Sequence, residues 1–116
     1  NSNIHVEEDI QEIYVTAKQS LPIGIIVTEL ITNSLKYAFN DRYEGRITVS
    51  VYRRTDSMLN ITVSDNGKGI PSEVMENGDY GFGLTLVDGY TRQFDGTMTI
   101  DNKGGTTVTV VLELES

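Results

Sequence analysis

The chain has 116 residues, 38% hydrophobic and 22% charged, with a formal net charge of -8, no cysteine and one histidine. That length and balance suit a single folded domain with one core, and no apolar run approaches the roughly 20 residues that span a bilayer. Disulfides, thiolate catalysis, cysteine zinc sites and multi-histidine metal sites are excluded, and the acidic balance argues against a bare electrostatic grip on nucleic acid. A phosphorylated ligand would need local help from a few cations, backbone N–H groups or a metal ion. No secretory signal is visible, and zero cysteines fits a cytoplasmic location; no direct membrane contact is expected of this stretch.

In chain order, "NIHVEEDIQEIYVTAKQS" reads as two short extended segments split by acidic residues. "LPIGIIVTELITNSLKYAF" reads as a helix, with Ser20 as N-cap, Pro22 in the first turn and an apolar stripe at Val27, Ile31, Leu35 and Ala38. "RITVSVYRR" alternates Ile47, Val49 and Val51, and "MLNITVSD" alternates Leu59, Ile61 and Val63. These two predict paired strands. Gly67 to Gly83 is rich in glycine and polar residues and predicts a long loop. "LTLVDGYTRQF" sets Leu84, Val87, Thr91 and Phe94 on one helical stripe, with Gly96 at the C-cap position. "TMTID", the turn "NKGG" and "TTVTVVLEL" predict a final hairpin. Helices and hairpins in blocks imply an α+β fold, a two-layer sandwich with helices on one face of a mixed, mostly antiparallel sheet.

Four stretches carry chemistry. On the first helix Glu29, Asn33, Lys36 and Tyr37 share a face. A solvated polar face explains that strip as well as a binding wall does, although Ile25, Ile26, Thr28 and Thr32 around it are unusual for plain solvent exposure. Asp65 ends an apolar strand just before "NGKGI", where a carboxylate can accept from a ligand N–H and where Gly67 and Gly69 let a flat ligand approach the backbone. A simple turn is the competing reading. "GFGLTLV" places Gly81 and Gly83 at a helix start, whose free N–H groups favour an anion. The dinucleotide fingerprint fails there because Leu86 stands at the third glycine position, and neither a P-loop nor a calcium-loop pattern is present. Gly104 and Gly105 precede Thr106, which could give its hydroxyl to a ligand or a water.

Taken together, E-x-x-x-N-x-x-K-Y, strand–D-x-G-x-G, a loop, G-x-G-L-x-L-V and G-T resemble the histidine-kinase-like ATPase family, shared by sensor histidine kinases, gyrase-type topoisomerases, Hsp90 chaperones and MutL repair proteins. The resemblance runs from Leu21 to Leu114, and the wording is most similar to the ATP-binding domain of a sensor histidine kinase. It implies a Bergerat-type ATP-binding fold, with ATP and Mg²⁺ as cofactors. It also implies transfer of the γ-phosphoryl to a histidine on a separate dimerisation hairpin, with a response regulator downstream. By the resemblance, Asn33 is the Mg²⁺ ligand and Glu29 the acidic residue that orients or deprotonates the attacking group. Lys36 faces the phosphates and Tyr37 packs on adenine. Asp65 accepts from the adenine amino group. Gly67, Gly69 and Ile70 form the first glycine box, and Gly81, Gly83 and Leu84 the second. Thr106 supports the adenine water network, and Pro71 to Tyr80 form a lid. His5 lies in a strand-like stretch, so the acceptor histidine is expected on another part of a longer protein. The 116 residues are then one ATP-binding domain, monomeric as a fragment. An anti-sigma-type serine/threonine kinase or a non-catalytic nucleotide-binding regulatory module would use the same pocket. The sequon Asn60-Ile61-Thr62 sits in a predicted strand and is expected to be chance.

Overall fold

The computed structural model describes residues 3–37, 44–69 and 81–115, with backbone alone at 37 and 81–83. Its elements are β1 (Asn3–Ile10), α1 (Ala17–Tyr37), β2 (Glu44–Arg53), β3 (Met58–Asp65), α2 (Gly81–Gln93), β4 (Thr97–Asp101) and β5 (Thr107–Glu113). The five strands form one sheet in the order β1-β2-β3-β5-β4. β1 runs parallel to β2, and the other pairs are antiparallel. The parallel step follows from connectivity: α1 lies between β1 and β2, and a crossover of that length returns the chain in the same direction. The α+β sandwich with a mostly antiparallel sheet is what the pattern of elements predicted.

Period-two alternation builds the core. Val49, Val63 and Val108 lie side by side across β2, β3 and β5, and Val51, Ile61 and Val110 form the next row. All six are buried, as are Ile47, Leu59 and Leu112 on the same face. The helices cover this face with Ile26 and Leu30 of α1 and Leu84 and Val87 of α2, joined by Phe94 just past the end of α2. Asp65 is in register with Ile47, so the alternation that points Ile61 and Val63 at the helices points its carboxylate there too. Asn60 is 2% exposed and its amide donates to the Thr62 hydroxyl at 2.8 Å, which seals the sequon inside the sheet.

Three local expectations change. The acidic residues Glu7, Glu8 and Asp9 do not split the opening segment; they lie within the single strand β1, at the sheet edge where charged side chains discourage pairing with another chain. α1 starts four residues earlier than Ser20 and Pro22 suggested. The Thr16 carbonyl accepts the N–H groups of Gln19 and Ser20, so Ser20 is inside the helix and Pro22 forfeits an interior bond. The buried stripe of α1 is Gln19, Ile26 and Leu30 flanked by Ile23, Val27 and Ile31. Leu35 is 47% exposed, and Ala38 lies outside the described residues.

At the end of α2 the left-handed residue is Asp95, with φ 53°, one position before Gly96. The N–H of Gly96 reaches the Thr91 carbonyl at 2.8 Å and that of Asp95 the Arg92 carbonyl at 3.1 Å, a Schellman closure. Gly96 is required for space instead: a Cβ there would lie 2.0 Å from the Val111 carbonyl oxygen.

Gln19 is fully buried and ties both ends of the domain together. Its amide donates to the Glu113 carbonyl at 2.8 Å and accepts from the Glu115 N–H at 3.0 Å, so one side chain continues the sheet ladder beyond β5. Replacing it with alanine orphans both backbone groups. Gln19→Ala is expected to lose about 2–3 kcal/mol of stability, read from the urea midpoint at unchanged m-value.

Candidate functional site

The site forms where the ends of β3 and β5 meet α1. Asp65 is the last residue of β3 and is 7% exposed. Its Oδ2 accepts from Ser34 Oγ of α1 at 3.0 Å, and its Oδ1 accepts from the N–H groups of Gly67 at 3.0 Å and Thr106 at 3.2 Å. The backbone adds a bond from the Asp65 N–H to the Thr106 carbonyl at 2.9 Å. A carboxylate offers about four lone-pair sites, so three donors hold it in place and leave capacity for one more. The turn that follows is pinned to β2: the Arg46 N–H donates to Asn66 Oδ1 at 2.8 Å, and the Asn66 N–H to the Arg46 carbonyl at 3.2 Å.

The glycines here meet different demands. Gly69 has φ 82°, and a Cβ on it would sit 2.7 Å from Asn102 Oδ1. Gly105 has φ 108°, and a Cβ on it would sit 2.1 Å from the Asp65 carbonyl oxygen. That approach lets β5 begin directly against the end of β3.

On α1, Asn33 is adjacent to Ser34, so the helix turn that carries the predicted polar strip is also the turn that touches Asp65. The Asn33 amide Nδ2 donates to the Glu29 carbonyl at 2.8 Å. Because a carbonyl can only accept, this bond aims the Asn33 Oδ1 away from the helix ladder. Glu29 is half-buried and Lys36 exposed on the same side of the helix. Gly81 and Gly83 fall in the first turn of α2, where backbone N–H groups have no partner within the helix. The Leu84 side chain is 2% exposed and belongs to the core, so only its backbone is left to face a ligand. Ile70, the Tyr37 side chain and the proposed lid from Pro71 to Tyr80 lie outside the described residues.

Two members of the cluster carry no signal in the sequence pattern. Ser34 is one residue beyond Asn33, about 100° around the helix and off the strip the spacing highlighted. Asn102 sits in the β4–β5 turn, where nothing in "NKGG" signals it. The Thr106 hydroxyl donates to Asn102 Oδ1 at 3.0 Å, which engages its proton within the protein and leaves its lone pairs to accept.

Residues 18–116 match the model of the family described as histidine kinase-, DNA gyrase B-, and HSP90-like ATPases. The chain is 28% identical over 92 residues to blue-light-activated histidine kinase 2 of Erythrobacter litoralis, covering 79% of this chain and 26% of that one. It is 34% identical over 76 residues to the sensor histidine kinase/phosphatase LytS of Staphylococcus aureus, covering 65% of this chain and 12% of that one. It thus spans about a quarter of the first of these relatives and about an eighth of the second. Among solved structures, the histidine kinase domain of an Erythrobacter litoralis blue-light-activated kinase superposes with a TM-score of 0.88 at 26% identity, over 97% of this chain and 55% of that one. The mycobacterial sensor histidine kinase MprB shares the fold at a TM-score of 0.76 and 21% identity, over 97% of this chain and 83% of that one. The extent of the family match, with the Asp65 cluster set at the sheet end against α1, places this chain in the family of histidine kinase-, DNA gyrase B-, and HSP90-like ATPases.

Proposed function

We propose that this chain is the ATP-binding catalytic domain of a two-component sensor histidine kinase. In this reading it binds Mg·ATP and presents the γ-phosphoryl to a histidine on a separate helical hairpin of the same protein, from which a response regulator takes it. The observation that carries the reading is the Asp65 carboxylate, held by Ser34, Gly67 and Thr106 with one acceptor site to spare. A fixed, buried acceptor selects a base with an amino group and rejects one with a carbonyl at that position, which favours adenine over guanine.

The donor set suits magnesium. No group of three or more His, Asp or Glu residues able to hold a metal occurs among the described residues. A cation here would rest chiefly on phosphate oxygens and water, with the outward Asn33 Oδ1 as this chain's contribution. Asn33 would hold such an ion, and the chemistry it would supply is neutralisation of the phosphate charge. The rest falls to the protein. Asp65 orients the base. Lys36 and the first-turn N–H groups of α2 supply positive potential in a chain of net charge -8. Glu29, one turn from Asn33, orients the attacking group and takes its proton. Catalysis is then mostly positioning and charge neutralisation.

Mixing the chain with a phosphoacceptor hairpin and γ-labelled ATP tests the transfer; label on the histidine is expected, and its absence would count against a kinase. Calorimetry tests the metal. Asn33→Ala is expected to remove most of the gain in ATP affinity that Mg²⁺ gives the parent, about tenfold, while leaving Mg-free binding unchanged. An unchanged Mg²⁺ dependence would reject Asn33 as the ligand.

A further inference from the structure

The β4–β5 turn does more than connect two strands. Asn102 Oδ1 accepts the Thr106 hydroxyl at 3.0 Å, and a Cβ placed on Gly69 would sit 2.7 Å from the same oxygen. One amide oxygen therefore sits beside the loop after β3 while bonding the residue just before β5. Thr106 in turn gives its N–H to Asp65 Oδ1 and accepts the Asp65 N–H on its carbonyl. Asn102, Thr106 and Asp65 form a continuous chain, and Thr106 is 7% exposed.

A threonine hydroxyl has one proton and two lone pairs. With the proton given to Asn102, Thr106 Oγ1 can only accept. The Asp65 carboxylate, on which Ser34, Gly67 and Thr106 all donate, also serves only as an acceptor. The base end of the site thus holds two neighbouring oxygens of the same polarity. Resting on the nucleotide-binding reading above, the geometry points to Asn102 as a positioning residue that sets base selectivity, by taking the Thr106 proton and leaving that oxygen an acceptor. A purine that presents an amino group at its C6 position, or a water that donates, meets this pair well. A purine with a C6 carbonyl sets acceptor against acceptor, and a buried polar group without a partner is costly. Without Asn102 the hydroxyl is free to turn and donate, and the penalty on the carbonyl falls.

The test compares ATP with inosine triphosphate, which carries a carbonyl at C6 and the same phosphates. Calorimetry gives the ratio of the two dissociation constants for the parent, Asn102→Leu and Asn102→Asp, with thermal melting to record stability. The parent is expected to prefer ATP strongly. Asn102→Leu, which lacks the acceptor, is expected to lower that preference about five- to tenfold. Asn102→Asp keeps an acceptor oxygen, and its added charge acts on both triphosphates alike, so the parent ratio is expected to return. If Asn102→Leu weakens both ligands in parallel, or if Asn102→Asp fails to restore the ratio, Asn102 is only a structural member of the turn and the inference is wrong. If the parent binds neither triphosphate, the nucleotide-binding reading itself falls.

Discussion

Asp65→Asn is expected to fold and to lose ATP binding by about 100-fold, the cost of one hydrogen bond to a charged acceptor compounded by a misplaced donor. The substitution keeps one oxygen, which can go on accepting from the N–H groups of Gly67 and Thr106. The new amide NH₂ takes the place of Oδ2. There the Ser34 hydroxyl, which now donates at 3.0 Å, can rotate and accept instead. The fold therefore changes stability by no more than about 1 kcal/mol. What changes sign is the face offered to the ligand: a donor now stands where the adenine amino group needs an acceptor. Asp65→Ala separates the two effects. It strips the partner from two N–H groups and a hydroxyl at a site 7% exposed, and is expected to destabilise the domain by about 3 kcal/mol. Calorimetry with ATP, read beside thermal melts, checks both. An Asp65→Asn variant that binds ATP as the parent does would remove the base anchor from the site.

That carboxylate also marks how far the sequence could be read. Strand alternation over Leu59, Ile61 and Val63 already aims Asp65 at the helix-covered face, because period two is a property of the backbone and needs no tertiary knowledge. The same holds for the α2 stripe of Leu84, Val87, Thr91 and Phe94, all buried. α1 was harder. Apolar residues surround much of its circumference, so the pattern alone admitted a stripe through Leu35 when the buried one runs through Ile26 and Leu30. Its start was obscured because Pro22 and Ser20 imitate an N-terminus, and the real cap depends on the Thr16 carbonyl. Gln19, Ser34 and Asn102 were not legible at all. Their partners stand 94, 31 and 4 residues away along the chain, and the two distant ones owe their roles to the packing of α1 on the sheet. The shortest-range of the three lies in a turn, where an asparagine is expected for local reasons and so attracts no notice.

Gly104 and Gly105 stand next to each other in the β4–β5 turn and are expected to respond very differently to alanine. Both have positive φ, 66° and 108°. At Gly104 a Cβ would meet nothing within 4 Å. Its φ is within the small left-handed region open to ordinary residues, at a strain of about 1–2 kcal/mol, partly offset by the reduced freedom of the unfolded chain. Gly104→Ala should therefore cost about 1 kcal/mol. At Gly105 a Cβ would lie 2.1 Å from the Asp65 carbonyl oxygen and 3.3 Å from the Asn66 α-carbon, both backbone atoms that no rotamer change can move. Relief requires parting β5 from the end of β3, which breaks the Asp65–Thr106 bonds that hold the carboxylate. Backbone strain and overpacking together put Gly105→Ala at about 3 kcal/mol or more, a fall in Tm of at least about 10 °C for a domain of this size. The structural cost and the functional one should then arrive together, since any variant that still folds has lost the N–H of Thr106 from Oδ1. Equal melting temperatures for the two variants would show that the close approach of β5 to Asp65 does not constrain the site.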